Sequence, residues 1–264
     1  MSGSGDWLRY PAGLDGTVIV GIDCATQESK TGLALALLSR NTLIVKEAAL
    51  ASSGSRATKT VEVWVRNAER VLLALDAPLG WPVPLARALR DHRAGEALMA
   101  APNEMFRRRT DRRIQERLGK LPLDVGADRI ARTAHAALRL LADVRAACAR
   151  PLPLLWSPEE FRDAGVIEVY PAATRISLGI PRSRGSLAGL DGRLLYRGCQ
   201  EPESEHARDA VVCAIAGVEF LQGRCAAPNT DELALAQFEG WIWAGQAHGD
   251  RGKTGYESPV SANE

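Results

Sequence analysis

Val71-Leu72-Leu73-Ala74-Leu75-Asp76-Ala77-Pro78-Leu79-Gly80 decides the reading of this chain. It is an apolar run closed by a carboxylate and bounded by Pro and Gly, the pattern of a fully buried strand. A buried carboxylate without a partner is costly, so Asp76 is expected at the strand's end, within reach of water or a metal. Pro78 then bars further sheet pairing. Upstream, Thr17-Val18-Ile19-Val20-Gly21-Ile22-Asp23 repeats the design. Two buried strands, each carrying an acid near its C-terminal end, predict an acidic site built on a central sheet.

Between these two strands, 32–38 and 42–49 read as further strands and 58–70 as a helix. Val61, Trp64, Val65 and Ala68 form the helix's apolar stripe. Three strands, a helix and a fourth strand are the order of a mixed sheet with a crossover helix. Residues 81–165 break the pattern and read as a helical insertion against the sheet, with helices over 85–93, 107–118 and 128–148. A short buried strand over 166–170 carries Glu168. A helix over 172–178, a small hairpin over 187–196, a strong helix over 205–222, a short helix over 232–238 and a last strand over 240–243 complete the order. The expected organisation is a flexible lead-in over 1–16, a single domain over 17–245 and a flexible tail over 246–264.

The 264 residues are 46% hydrophobic and 25% charged, as in an ordinary globular protein. A net charge of +1 gives no global field towards nucleic acid or membrane, although a local basic surface is enough for nucleic acid. Five cysteines with no Cys-x-x-Cys pair fit a reducing compartment better than a disulfide framework. The polar N-terminus lacks a signal-peptide core, and no apolar run is long enough to span a bilayer. The expectation is a cytoplasmic protein with no membrane partner.

The carboxylates carry the functional argument. Asp23 and Asp76 lie on strands that this topology makes neighbours. On the 205–222 helix, His206, Asp209 and Cys213 share a face by their spacing. Carboxylates that converge repel each other unless a cation neutralises them, and carboxylate oxygens suit Mg²⁺ and Mn²⁺. Paired hard cations are the usual device for in-line phosphodiester hydrolysis. The alternative is that Asp23 and Asp76 only cap strand ends. Glu168 is either a further ligand or the partner of an arginine. The densest basic stretch, Arg107-Arg108-Arg109-Thr110-Asp111-Arg112-Arg113, suits phosphate contact, or is a solvated helix face. It is expected beside the acids, facing the C-terminal end of the Asp76 strand. Cys213, among apolar residues, reads as inert core.

Gly21-Ile22-Asp23, Asp76-Ala77-Pro78-Leu79-Gly80, Arg109-Thr110-Asp111, Glu168-Val169-Tyr170-Pro171 and Asp209-Ala210-x-x-Cys213-Ala214 occur in this order. Together they resemble domain-of-unknown-function family 429, a group of predicted nucleases with a ribonuclease H-like fold. The resemblance spans about 17–243. It implies an α/β fold: a mixed five-stranded sheet flanked by helices, with Asp23 on the first strand and Asp76 on the fourth as core acids. Asp209 matches the acid that related nucleases place on a late helix.

The resulting expectation is a Mg²⁺- or Mn²⁺-dependent nuclease. Asp23, Asp76 and Asp209 would hold metal, with Glu168 as auxiliary ligand or structural acid. Arg109 and Arg112 would contact substrate phosphate, Asp111 would orient an arginine, and His206 would meet the substrate. The alternatives are a non-catalytic protein of the same fold that binds nucleic acid or a partner, and a phosphoryl-transfer enzyme acting on a small metabolite.

Overall fold

The computed structural model describes residues 14–51, 56–126, 128–181, 187, 190 and 193–245. Most of the expected lead-in, the whole expected tail and positions 188–189 and 191–192 of the expected hairpin lie outside the described residues. Within the lead-in, Leu14 is buried in the core and Gly16 N donates to Leu38 O.

The sheet has six strands. β1 (Val18–Asp23), β2 (Gly32–Ser39) and β3 (Thr42–Leu50) form an antiparallel meander. The helix α1 (Ala57–Arg66) then crosses over to β4 (Val71–Asp76), which lies parallel to β1. β5 (Ala164–Glu168) extends the sheet in parallel beyond β4. β6 (Leu194–Tyr196) pairs in parallel with β3 and makes the sheet six-stranded rather than five-stranded. The strand order is β5-β4-β1-β2-β3-β6. The sixth strand, three residues long, falls at the end of the hairpin expected over 187–196, and its pairing with β3 is what the sequence reading missed. The strand expected over 240–243 is reduced to a single bridge between Glu168 and Ile242.

Both faces of the sheet are covered, which is why its central strands are almost continuously apolar. Ile19, Leu72 and Ala74 face one core, closed by α7 (Glu205–Leu221). Val20, Ile22, Leu73 and Leu75 face the other. That second core is closed by α1 and by α5 (Asp128–Cys148), whose Ala137, Leu141 and Val144 are buried. Between β4 and α5 run α2 (Val83–Leu89), α3 (Pro102–Phe106) and α4 (Arg109–Leu118). The short helix α6 (Pro171–Leu178) follows β5, and α8 (Thr230–Glu239) follows α7. Among the described residues no helix is long and apolar enough to cross a membrane.

The backbone of α7 sits directly on β1 and β2. A Cβ at Gly21 would lie 1.9 Å from Ala210 O, and one at Gly32 would lie 2.0 Å from His206 O. Neither obstacle can rotate away, because both belong to the helix backbone. Gly21→Ala is therefore expected to push α7 off the sheet and cost about 1–3 kcal/mol or more. A shift of the urea midpoint reads this directly. A midpoint equal to wild type would mean that the helix and sheet are not held at this distance.

Candidate active site

Parallel pairing places Asp23 and Asp76 as register partners at the C-terminal ends of β1 and β4. Neighbouring strands lie about 4.8 Å apart. Alternation along both strands turns the two carboxylates to the face covered by α7, since Ile19 and Gly21, and Leu72 and Ala74, point the same way. Asp23 is buried, whereas Asp76 is half-buried.

The first two turns of α7 bring two more groups to this point. His206 Nδ1 lies 2.5 Å from Asp23 Oδ2. Asp209 is close enough to raise the pKa of both Asp23 and Asp76 by repulsion. Its Oδ1 accepts a hydrogen bond of 2.9 Å from Arg175 of α6. Arg175 carried no signal in the sequence, because it reaches the acids only through the packing of α6 beside α7. One turn further along α7, the Cys213 thiol is buried against Ile22 O and its pKa is pushed well up by burial. It is core.

Asp76 differs from the other acids. Each buried carboxylate among the described residues has a partner: Asp23 has His206, Glu62 has Lys59 and Arg66, Glu219 has Arg224, and Glu232 has Arg109. Glu239 accepts from Val83 N and Arg109 N. None of the described residues donates a hydrogen bond to Asp76. Burial, then repulsion from Asp23, Asp209 and Glu168, drives its pKa well above the usual carboxylate range.

Glu168 has a different role. It is the register partner of Leu75, not Asp76, so alternation turns it towards the other face. There it meets Arg108, the residue just before α4. The Arg108 guanidinium donates to Glu168 Oε1 at 2.7 Å and Oε2 at 2.9 Å. It also donates to Asp111 Oδ1 at 2.9 Å and Oδ2 at 3.1 Å, and to Glu239 O at 3.0 Å. Leu79 N donates to Glu168 Oε2 as well, which fixes the chain after Pro78. Arg108, Asp111 and Glu168 are all at least 97% buried. Burial opposes the charge on Arg108, but its two carboxylates raise its pKa. For Glu168 the balance is reversed: burial raises the pKa more than Arg108 lowers it.

Arg108 lines a cleft of about 240 Å³ together with Asp76, Glu168, Tyr170 and, from α5, Ile130 and Thr133. The basic run thus reaches the C-terminal end of β4 through Arg108. Arg109 is turned towards Glu232 and Glu116, Arg113 makes longer pairs with the same acids, and Arg107 pairs with Asp124. Arg112 is half-buried and makes no ion pair among the described residues. Asp111 holds Arg108. Which arginine of the run is buried was hidden in the sequence, although the spacing from Arg108 to Asp111 across a helix start was a usable sign.

A family model described as "Protein of unknown function (DUF429)" matches residues 21–233. The chain belongs to this family. Neither a curated protein nor a solved structure gives a significant match. The match in this DUF429 chain begins at Gly21, two residues before Asp23, and runs past Asp209 to residue 233.

The electrostatics of the acids predict a pH dependence. Asp23 is pushed up from 3.8 to about 6, chiefly by burial and against the pull of His206. An acid with a raised folded pKa holds more protons in the folded state. Its favourable contribution is full below about pH 3.8 and is lost as pH rises through about 6. Asp76 and Glu168 act with the same sign. Without divalent metal, thermal melts should therefore show stability from these groups falling from pH 4.5 to 7.5. Their signature is a smaller fall in an Asp23→Asn variant. An identical pH profile in the two proteins would contradict the assignment.

Proposed function

We propose that this protein is a Mg²⁺- or Mn²⁺-dependent nuclease of ribonuclease H-like fold that hydrolyses phosphodiester bonds at Asp23 and Asp76. The observation that carries the reading is the register pairing of these carboxylates at adjacent strand ends, with no described residue donating to Asp76. A mixed sheet flanked by helices, with acids on the first and fourth strands and a third on a late helix, supports it by fold analogy.

The donor set fits the ion. Mg²⁺ keeps several waters and is commonly held by one or two carboxylates plus substrate phosphate. Among the described residues, no three His, Cys, Asp or Glu side chains are gathered into a ready metal cage. A cage-demanding ion such as structural Zn²⁺ therefore fits poorly, whereas Mg²⁺ or Mn²⁺ on Asp23 and Asp76 fits. Asp209 would join only by moving closer to the pair, since Arg175 holds its Oδ1. Bound there, the cation would supply charge neutralisation and an activated water.

The chain's own residues do the rest. His206 orients Asp23 and is half-exposed at the rim, where it can hold or pass a proton. Arg108 anchors the loop after Asp76 through Glu168 and so fixes the carboxylate at the cleft. Arg109 and Arg112 remain candidates for outer phosphate contacts only.

The tie between Asp209 and Arg175 favours a second reading, a non-catalytic protein that binds nucleic acid through the same cleft. Hydrolysis of bis(p-nitrophenyl) phosphate, DNA and RNA with Mg²⁺, Mn²⁺ or chelator decides between them. Metal-dependent cleavage supports the nuclease. Salt-sensitive nucleic-acid binding with no cleavage under any metal leaves the second reading standing.

A further inference from the structure

The acidic cleft is one of two clefts that share a wall. A second, of about 210 Å³, lies on the other side of Thr26 and is lined by Arg56, Ala136, Ala137, Arg139 and Leu140. Cys24, next to Asp23, lines both clefts. α5 lines both too, through Ile130 and Thr133 on the first and 136–143 on the second. The Thr26 and Thr133 hydroxyls meet at 3.3 Å in an exposed hydrogen bond and form a saddle between the clefts. From Thr133 to Arg139 the helix advances about 9 Å. An extended strand steps further per nucleotide than the about 3.4 Å of a stacked duplex strand, so that distance spans about one to two nucleotides.

The chemistry of the two clefts differs from that of a phosphate trap. Tyr170, Pro78, Ile130 and the exposed Leu123 give the first cleft flat apolar walls beside the acids. In the second, Arg56 and Arg139 are balanced by Glu28 and Asp143, with Ala137 and Leu140 as its apolar wall. Such walls suit unpaired bases, whose faces stack on apolar and aromatic groups. A paired base offers no free face to either cleft.

Resting on the nuclease reading, we propose that the groove along α5 binds an extended single strand of nucleic acid. One unpaired base would sit in the acidic cleft and its neighbour beyond the Thr26–Thr133 saddle.

The test is fluorescence anisotropy of short fluorescein-labelled single strands of DNA and of RNA, and of a DNA duplex, on the full chain without divalent metal. The single strand of one or both chemistries should bind about tenfold or more tighter than the duplex. Comparison of the two single strands assigns DNA or RNA. Ala136→Trp, at a half-buried position in the second cleft, should weaken single-strand binding about tenfold while the thermal melt stays cooperative. If that variant does not fold, Arg139→Glu, at a largely exposed side chain, should weaken binding and flatten its salt dependence. Duplex binding as tight as single-strand binding overturns the proposal. So does wild-type affinity in whichever variant folds. Turnover of bis(p-nitrophenyl) phosphate with Mn²⁺ is read in parallel. Turnover without single-strand preference overturns the groove assignment alone, whereas strand binding without any metal-dependent turnover overturns the nuclease reading and leaves the groove in place.

Discussion

Replacing Arg108 with Met should cost about 3–5 kcal/mol of folding stability, the scale of breaking a buried ion pair from one side. Arg108 is 1% exposed and its guanidinium bonds two buried carboxylates and a carbonyl. The variant would leave Glu168 and Asp111 in place with no cation. Burial already raises the Glu168 pKa, and Arg108 is the largest influence lowering it. Without Arg108, Glu168 should take up a proton on folding, so the loss should shrink as pH is lowered. Adding Glu168→Gln to Arg108→Met should recover part of the loss, because one of the stranded charges is gone. Urea unfolding at neutral and mildly acidic pH measures all of this. A loss under about 1 kcal/mol, the range of exposed pairs, would mean that the network is open to water.

Asp76→Asn should have the opposite profile: little effect on folding and a severe effect on chemistry. Asn keeps the size of the side chain and removes its charge. No described residue donates to the Asp76 carboxylate, so no ion pair is lost. Relief of repulsion from Asp23 and Asp209 should leave the variant as stable as wild type, or more so. Metal-dependent diester hydrolysis should fall about 100-fold or more, the scale of losing one preorganised electrostatic contact. Hydrolysis within a few-fold of wild type would remove Asp76 from the mechanism.

The parts of this fold that were legible in the sequence are those with a strong period or a strong boundary. β4 shows as Val71 to Asp76, closed by its acid and Pro78, and α5 shows through an apolar stripe from Ile130 to Cys148. The adjacency of Asp23 and Asp76 followed once the crossover between β3 and β4 was read as a helix. β6 was legible only as the end of a small hairpin over 187–196; that it joins the sheet was not, because Leu194–Tyr196 sits in an Arg- and Gly-rich segment and pairs in parallel with the edge of β3. The apolar run at Ile242 and Trp243 has strand composition but makes only one bridge. Just before it, Gly240 adopts φ 81° where a Cβ would meet Glu168 Oε2 at 2.6 Å.

The site was legible in its residue types more than in its contacts. His206 and Asp209 could be placed on one helix face, but not tied to Asp23 and Arg175. Glu168 offered two roles, and strand alternation, fixed only by the register with Leu75, gave it to Arg108. The run from Arg107 to Arg113 announced charge near the acids. It did not say that Arg108 would be buried while Arg109 turned to Glu232. Those assignments depend on α8 and β5, elements far away in the chain.

Differential scanning calorimetry of wild type and Asp76→Asn, each with chelator and with Mn²⁺, tests the central claim most directly. It needs no knowledge of the natural substrate. If Asp23 and Asp76 hold a divalent cation, wild type should gain stability with Mn²⁺, by about 2.7 kcal/mol at a hundredfold excess over Kd. The gain should be larger at pH 7.5 than at pH 5.5, because metal and protons compete for the same carboxylates. Asp76→Asn should match or exceed wild type in chelator and respond little to Mn²⁺. A wild type indifferent to Mn²⁺, beside an Asp76→Asn variant that is destabilised and equally indifferent, would contradict the account: Asp76 would then be a structural acid at a strand end.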